Sequence, residues 1–309
     1  MKVLVVGGFG FLGSHIIGAM LDRGYSVTSV GRSLKVRHSS SVSTIEWDAS
    51  SPWKASLPDC DIVVHLASAN GSGDLNSLST YGNNIAVTKN VIDLCRSIPE
   101  CALMYVSTIQ VLGSPVGAID ESTPARPITD YGFAHWVAEE HARLFARTHG
   151  RKVVVVRPSN IIGVGEVPDS IRWNLVPADF CRQVVMRNQI QLRSTGEERR
   201  DFLSVQDFGH RIATILRHRD EWRGQAILIG SGHTTSIFQM ATLVAHQFRF
   251  LRGATLNSEV VKGEKVSENS GEFQMKSNTH FGESFVGPGK ISDAESINRL
   301  LLAAEVRFR

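Results

Sequence analysis

The sequence predicts an α/β fold: a doubly wound parallel sheet with a smaller interleaved C-terminal lobe. Short apolar runs alternate with helix-compatible segments over the first half of the chain, which favours a parallel sheet covered on both faces. The first apolar run enters a glycine-rich stretch, Gly7–Ser14, that leads directly into a helical segment. Beyond Pro158 this alternation breaks down.

The change of pattern divides the chain into two parts. The segments 170–200 and 250–290 carry many Gly, Ser and Asn residues and are predicted to be loop-rich. We therefore expect a Rossmann-type domain at residues 1–165, to which 203–232 contribute, and a second lobe that occupies mainly 166–309.

The glycine-rich stretch is the first candidate site. Gly7, Gly10 and Gly13 recur at three-residue spacing between a strand at Lys2–Val6 and a helix at Phe11–Leu21. Such a turn lets the backbone approach a diphosphate, which the N–H groups and dipole of the helix attract. A plain glycine-rich turn or the apolar core of a signal peptide would look similar. No small-residue cleavage site is present, and a second strand completes a βαβ opening of about 30 residues.

The remaining elements follow from the same alternation. They are predicted, in order, as strands at Ser26–Val30, Thr44–Trp47 and Asp61–Leu66, a helix at about Asn83–Arg96, a strand at Ala102–Ser107, a helix at about Tyr131–His149, and a strand at Val153–Arg157.

Composition excludes several classes of function. The 309 residues are 42% hydrophobic and 20% charged, as in ordinary soluble enzymes. A net charge of +3 and scattered Arg residues argue against a nucleic-acid partner. No apolar run reaches the ~18 residues of a membrane span. The four cysteines have no metal-ligand spacing, so we expect reduced thiols in a cytoplasmic protein and no metal.

The end of the second strand indicates the cofactor. An NAD site of this kind carries Asp or Glu about 20 residues beyond the glycines, where it binds the ribose 2′-hydroxyl. Here the strand ends in Gly31-Arg32-Ser33, which offers no carboxylate and places an Arg within reach of a 2′-phosphate. NADP is therefore favoured, with NAD possible and a merely exposed Arg32 as the alternative.

Several short motifs stand in the same order as in one known family. They are Gly7, Gly10 and Gly13; Asp48; His65–Ser68; Asn84, Thr88 and Asn90; Val106–Gly113; Arg157–Gly163; Asn174–Pro177; and Arg200–Phe202 with Val205 and Asp207. Over about 200 residues this order resembles the extended short-chain dehydrogenase/reductase family, which comprises nucleotide-sugar epimerases, 4,6-dehydratases and 4-keto reductases.

The resemblance implies a set of site residues. The cofactor would contact Gly7, Gly10, Phe11, Leu12, Gly13, Arg32, Asp48, Ala49, Leu66, Ala67, Ser68, Asn84, Val106, Tyr131, His135 and Pro158. A nucleotide-diphosphate sugar would contact Ser107, Thr108, Asn160, Asn174, Leu175 and Arg200. The alternative for Arg200 is a surface ion pair with Glu197 or Glu198.

The resemblance also implies the chemistry. Tyr131 would exchange a proton with the sugar oxygen while nicotinamide exchanges hydride, and the Thr108 hydroxyl would hold the same oxygen. The alternative for Tyr131 is an aromatic residue packed in the core. The family's helices near 84–96 and 131–149 pair into a homodimer interface, so a homodimer is expected.

The departure from the family lies four residues after Tyr131. The family's Tyr-x-x-x-Lys pattern here ends in His135. A Lys is a permanent cation that lowers the Tyr pKa, whereas His is largely neutral at pH 7. Three hypotheses follow: His135 is protonated by the site and replaces the Lys in part, another group serves, or hydride chemistry is lost and the protein only binds.

A second departure concerns the reaction. Dehydratases of the family follow the Thr with Asp-Glu, where this chain has Ile109 and Gln110, which cannot act as acid and base. A 4,6-dehydratase is therefore not expected. The NADP signal favours a 4-keto reductase, with a 4-epimerase that retains its cofactor, or a non-catalytic NADP-binding sensor or scaffold, as alternatives.

Overall fold

The structure, a computed structural model, describes residues 1–33, 40–68, 78–165, 171–253, 259–265, 273–276, 281 and 284–308. The strands are β1 (Lys2–Val6), β2 (Ser26–Gly31), β3 (Ser43–Glu46), β4 (Ile62–His65), β5 (Ala102–Val106), β6 (Gly117–Ile119), β7 (Val153–Pro158), β8 (Asn160–Ile162), β9 (Gln189–Gln191), β10 (Arg199–Ser204), β11 (Ala226–Ile229), β12 (Thr234–Ser236), β13 (Glu259–Val261) and β14 (Phe273–Met275). The α-helices are α1 (Phe11–Leu21), α2 (Leu78–Ser97), α3 (Asp130–His149), α4 (Ala178–Arg187), α5 (Val205–Ile215), α6 (Ile237–Arg252) and α7 (Asp293–Phe308).

A seven-stranded parallel sheet forms the main body, in the order β3–β2–β1–β4–β5–β7–β11. The predicted α/β fold is confirmed. The chain runs outward from β1 in one direction through β2 and β3, and then in the other from β4. In such sheets ligands bind beyond the carboxyl ends of the strands, at the point where the order reverses. Here that point lies between β1 and β4.

Alternating side chains of the sheet bury two separate cores. Val3 and Val5 face the side covered by α1 and α5, whereas Leu4 and Val6 face the side covered by α2 and α3. Both sets are almost fully buried, because a parallel sheet with helices on both faces leaves its strands no solvent-facing side.

A third core holds the C-terminal lobe together. It is formed by α4, α6 and α7 against the three-stranded sheet β12–β10–β8. The expectation of a loop-rich segment at 170–200 is wrong, because it contains α4, β9 and the start of β10. Phe180, Val184 and Val185 are buried at helical spacing, a signal that the polar neighbours concealed. Much of the other loop-rich segment, 250–290, lies outside the described residues.

Most predicted boundaries are confirmed within one or two residues. The exception is α2, which begins at Leu78 rather than near Asn83. Helix α6 was not predicted, although it opens with a capping box in which the Ser236 hydroxyl accepts from Gln239 N–H and the Gln239 amide oxygen accepts from Ser236 N–H. No helix in the described ranges is both long and apolar enough to cross a membrane.

Candidate functional site

A cleft of about 1940 Å³ runs along the carboxyl ends of the large sheet and continues between the sheet and the C-terminal lobe. It brings together every residue predicted to contact cofactor or substrate except Asn84. Asn84 is buried in α2, while Asn83 and Val87 border the cleft. The spacing explains the difference, since Asn83 and Val87 are four residues apart and share one helix face. The contact of Asn84 with the cofactor stays a prediction that the cleft lining does not support.

The glycine turn is held by close backbone contacts. Gly7 has φ +93°, a conformation that side chains disfavour, and its N–H donates to the Val30 carbonyl at 2.8 Å. A Cβ on Gly7 would lie 2.8 Å from the Ala67 nitrogen, so the turn packs on the loop that follows β4. A Cβ on Gly13 would lie 2.5 Å from the Gly7 carbonyl oxygen. These contacts seat the start of α1 directly on the turn.

The start of α1 fits a dinucleotide diphosphate. Gly10 is the N-cap and supplies no side-chain cap, and no acidic residue stands in the first turn. The orphan N–H groups of this turn therefore keep their capacity to bind an anion. A Cβ on Gly10 would meet only the Gly7 carbonyl within 4 Å, so the space beside Gly10 is otherwise open. Phe11, Leu12 and Gly13 line the same part of the cleft.

We expect Gly13→Ala to weaken dinucleotide binding about tenfold or more and to lower the free energy of unfolding by about 1–3 kcal/mol, because the Gly7 and Gly8 backbone must move. Fluorescence titration with NADPH and urea unfolding measure the two effects. Gly82→Ala is the matched control, since a Cβ on this exposed α2 residue meets nothing within 4 Å. Unchanged NADPH binding by Gly13→Ala would contradict the role given to this turn.

At the end of β2, Arg32 lines the cleft, and Gly31 makes a close contact that was not predicted. Arg32 lines the cleft close to Asp48, whose pKa is lowered by the Ser50 N–H bond and, to a smaller extent, by the Arg32 charge. A Cβ on Gly31 would lie 2.6 Å from the Phe9 ring. An acidic side chain at residue 31 would therefore have to displace Phe9, which sequence reasoning did not identify.

Thr108 and Tyr131 are brought together by the start of α3. Thr108 follows β5 and caps a short 3₁₀ helix, where its hydroxyl oxygen accepts from the Gln110 N–H at 3.3 Å. Thr129 caps α3 by accepting from the Gly132 N–H at 3.1 Å. A Cβ on Gly132 would lie 2.6 Å from the Gln110 carbonyl oxygen, so α3 begins in direct contact with the 3₁₀ helix. Both Thr108 and Tyr131 consequently line one wall of the cleft.

His135 lies one helical turn after Tyr131, with the two ring centroids 4.6 Å apart in an edge-on arrangement. Its Nδ1 is 2.7 Å from the Tyr105 hydroxyl. Burial lowers the pKa of His135 to about 4, against a smaller raising effect of Glu139. His135 is therefore neutral at pH 7. Burial thus opposes protonation of His135 in place of the family's Lys, and the three hypotheses for this position stay predictions.

A buried carboxylate behind the cleft wall that carries Thr108 and Tyr131 was missed by sequence reasoning. Glu139 lies one turn after His135 and is fully buried. It accepts from Arg157 Nη2 at 2.7 Å and Nε at 3.0 Å, and from the Ser107 hydroxyl at 2.6 Å. The hydroxyl of Ser107, a predicted substrate residue, thus donates into the protein. The spacing Tyr131, His135, Glu139 along one face of α3 was the available signal.

The end of the cleft next to the C-terminal lobe carries several cationic side chains. Arg200 lines it and lies 3.3 Å from Glu198, as the ion-pair alternative predicted. Lys265 also lines it, whereas the Lys262 ammonium sits 4.2 Å from the centroid of the Phe238 ring. Two further arginines that sequence reasoning missed, Arg172 and Arg193, border the same region.

The predicted amide residues at this end are placed differently from one another. Asn160 donates its amide to the Asp201 carbonyl at 3.0 Å and still borders the cleft. Asn174 and Leu175 are exposed in the loop before α4 and line the same wall. Over the described ranges, no group of three or more His, Cys, Asp or Glu side chains is arranged to hold a metal ion.

Comparison with known proteins matches this architecture. The model of the NAD dependent epimerase/dehydratase family matches residues 3–230. A putative UDP-glucose 4-epimerase of Methanocaldococcus jannaschii is 25% identical over 272 residues, 85% of this chain and 87% of the relative. A dTDP-4-dehydro-6-deoxy-D-allose reductase of Streptomyces sp. is 24% identical over 265 residues, 78% of this chain and 79% of the relative. The crystal structure of a UDP-glucose 4-epimerase from Thermotoga maritima, with UDP-glucose, superposes with a TM-score of 0.78 at 21% identity, covering 99% of each chain.

Proposed function

The chain belongs to the NAD-dependent epimerase/dehydratase family, and on that premise we propose that it reduces the 4-keto group of a nucleotide-diphosphate sugar with NADPH. The family makes it a nicotinamide-dependent enzyme of the nucleotide-sugar type. The observation that carries the finer assignment is the end of β2, where Gly31, packed by Phe9, and Arg32 replace the carboxylate of an NAD site. NADPH serves mainly as a reductant, which favours reduction over an internal redox cycle.

Proton transfer takes place at the cleft wall that carries Thr108 and Tyr131, which we call the catalytic wall. When bound, the nicotinamide supplies hydride to the carbonyl carbon of the sugar. Tyr131 donates its phenolic proton to the carbonyl oxygen as the C=O electron pair moves onto that oxygen, and the Thr108 hydroxyl hydrogen-bonds the same oxygen. A phenol can donate its proton only if it starts neutral rather than as the phenolate. The uncharged imidazole of His135 beside Tyr131 suits this, because it offers no positive charge to stabilise a phenolate.

The dinucleotide and the nucleotide sugar would bind at opposite ends of the cleft. In this proposal residues 1–165 with 203–232 bind the dinucleotide, and 166–309 bind mainly the nucleotide sugar. Arg200 and Lys265 would supply charge-assisted bonds to the diphosphate, with donors from the 174–175 loop. To bind the diphosphate, Arg200 would have to leave its ion pair with Glu198. This pair is partly exposed, so its net stabilisation is small.

Two alternatives are favoured by particular observations. The Methanocaldococcus jannaschii relative favours a 4-epimerase that retains its cofactor. Neutral His135 in place of a cationic Lys favours a non-catalytic sensor or scaffold. Elimination of water is not proposed, since Ile109 is buried and apolar, and the Gln110 side chain cannot transfer a proton.

The test is a two-stage assay on the full chain. NADPH binding is followed by its fluorescence, and turnover by loss of absorbance at the reduced-nicotinamide band with a panel of nucleotide 4-keto sugars. Consumption of NADPH at one equivalent per sugar would support the reductase. Interconversion of 4-hydroxyl epimers without net NADPH loss would identify an epimerase. Tight binding with no turnover, by the parent and by His135→Lys, would identify a sensor.

We expect Arg32→Ala to weaken NADPH binding about tenfold, because a charge-assisted bond to the 2′-phosphate is lost. NADH, which lacks that phosphate, should bind as before. Arg172→Ala is the matched control: it removes the same charge from the opposite end of the cleft and should leave NADPH affinity unchanged. Equal losses for NADPH and NADH would contradict the NADP assignment.

We also propose a cytoplasmic homodimer packed through α2 and α3. Phe133 and Leu144 of α3 are 39% and 48% exposed, so an apolar strip is available on the outer face of this helix pair.

A further inference from the structure

A chain of hydrogen bonds runs behind the catalytic wall, from β4 through α2 and β5 to α3. His65 Nε2 lies 3.1 Å from the Thr88 hydroxyl, the Thr88 hydroxyl bonds the Tyr105 phenol, and the Tyr105 phenol lies 2.7 Å from His135 Nδ1. All four side chains are buried. Burial lowers the pKa of His65 to about 3 and raises that of Tyr105 well above its ordinary value, so both stay uncharged at neutral pH.

Because all four side chains are neutral, the hydrogen bonds between them can run in either of two directions. In the first, His65 Nε2–H donates to Thr88, Thr88 donates to Tyr105, and Tyr105 donates to His135 Nδ1. In the second, every donor and acceptor is exchanged, and His135 Nδ1–H donates to Tyr105. Each hydroxyl donates once and accepts once in both cases. The choice between the two directions therefore depends on the ring nitrogens that take no part in these hydrogen bonds.

The two outer ring nitrogens, His65 Nδ1 and His135 Nε2, decide between the directions. Both are buried and have no hydrogen-bond partner within the described ranges. The second direction leaves an unpartnered N–H donor on His65 Nδ1, and the first leaves one on His135 Nε2. His135 lines the cleft, where a bound ligand can accept from this N–H, whereas His65 does not line it. The first direction is therefore favoured.

We propose that Tyr105 is a positioning residue that fixes His135 in the tautomer with its proton on Nε2. Nε2 is the ring nitrogen that Tyr105 does not engage, and it too has no protein partner within the described ranges. His135 thus offers a neutral N–H donor beside Tyr131, matched to an oxygen acceptor such as a ribose hydroxyl or a phenol oxygen. The use of this donor in catalysis rests on the proposed function, whereas the tautomer does not.

The test is ¹⁵N NMR of the full chain labelled at histidine, with the His135 signals assigned by their loss in His135→Gln. The parent should show a pyrrole-type Nε2 and a pyridine-type Nδ1. Tyr105→Phe should redistribute His135 between both tautomers and lower kcat roughly fivefold, as expected for one lost hydrogen bond, without changing KM for NADPH. A pyrrole-type Nδ1 in the parent, or an unchanged tautomer ratio in Tyr105→Phe, would overturn the proposal.

Thr88→Val separates the two directions. In the proposed direction Tyr105 still donates to His135, and the His135 signals should stay as in the parent. In the reverse direction Tyr105 would lose its acceptor and turn its proton to His135, which would convert the tautomer. Because these spectra need no substrate, an Nε2–H tautomer in a protein without turnover would contradict the proposed reduction alone.

Discussion

Tyr131→Phe is expected to lower kcat for reduction of a 4-keto sugar by about 10²- to 10⁴-fold, the usual contribution of a positioned general acid. The Tyr131 side chain lines the cleft together with Thr108, and in the proposed reaction its phenol protonates the sugar oxygen. Phenylalanine retains the ring that packs edge-on against His135, so the variant should fold and bind NADPH like the parent. The loss should therefore fall on kcat rather than on cofactor affinity.

The matched control is Tyr81→Phe, which makes the same chemical change outside the cleft. Tyr81 stacks on Phe133 with ring centroids 5.5 Å apart and is not among the residues that line the cleft. Its loss should leave kcat within about twofold, as for surface changes remote from the site. Steady-state rates and fluorescence titrations of the three proteins measure both effects. A Tyr131→Phe variant that reduced the sugar at the parental rate would show that another group donates the proton.

The local parts of this site were predictable because their signals lie close together in the chain. Gly7, Gly10 and Gly13 specify a turn by spacing alone, and the alternating runs specify the sheet. The order of motifs then identified residues that line the cleft, although much of the remaining lining, such as Arg172 and Arg193, was not predicted. The face of α2 on which Asn84 lies could not be predicted, because helix phase depends on where the helix packs, and one residue changes the face by about 100°.

The charge state of His135 could not be read from the sequence. It depends on burial and on the phenol of Tyr105, which is 30 residues earlier and reaches His135 only through the packing of β5 against α3. The packing of β7 against α3 joins Arg157 to Glu139 in the same way. Such contacts between elements are set by tertiary structure, whereas propensity and spacing describe one element at a time.

Glu139→Gln is the second change with a large expected effect, a loss of about 3–5 kcal/mol in the free energy of unfolding. The carboxylate is fully buried, and Arg157, 4% exposed, directs two nitrogens at it. Glutamine preserves the size of the side chain and removes the charge, so the Arg157 cation would remain buried without compensation. Removal of one partner from a buried pair costs far more than the net stabilisation of the pair, because the remaining charge has already lost its water.

Urea unfolding of Glu139→Gln and Glu140→Gln tests this with neighbouring residues of one helix. Glu140 makes an ion pair with Arg143 at 2.5 Å, but its side chain is 47% exposed, so its replacement should cost about 0–1 kcal/mol. Equal losses in the two variants would contradict the structural role of Glu139. Glu139→Gln also changes the acceptor of the Ser107 hydroxyl, next to Thr108. A fall in kcat that persists in folded Glu139→Gln at low temperature would show that this buried pair also holds the catalytic wall in position.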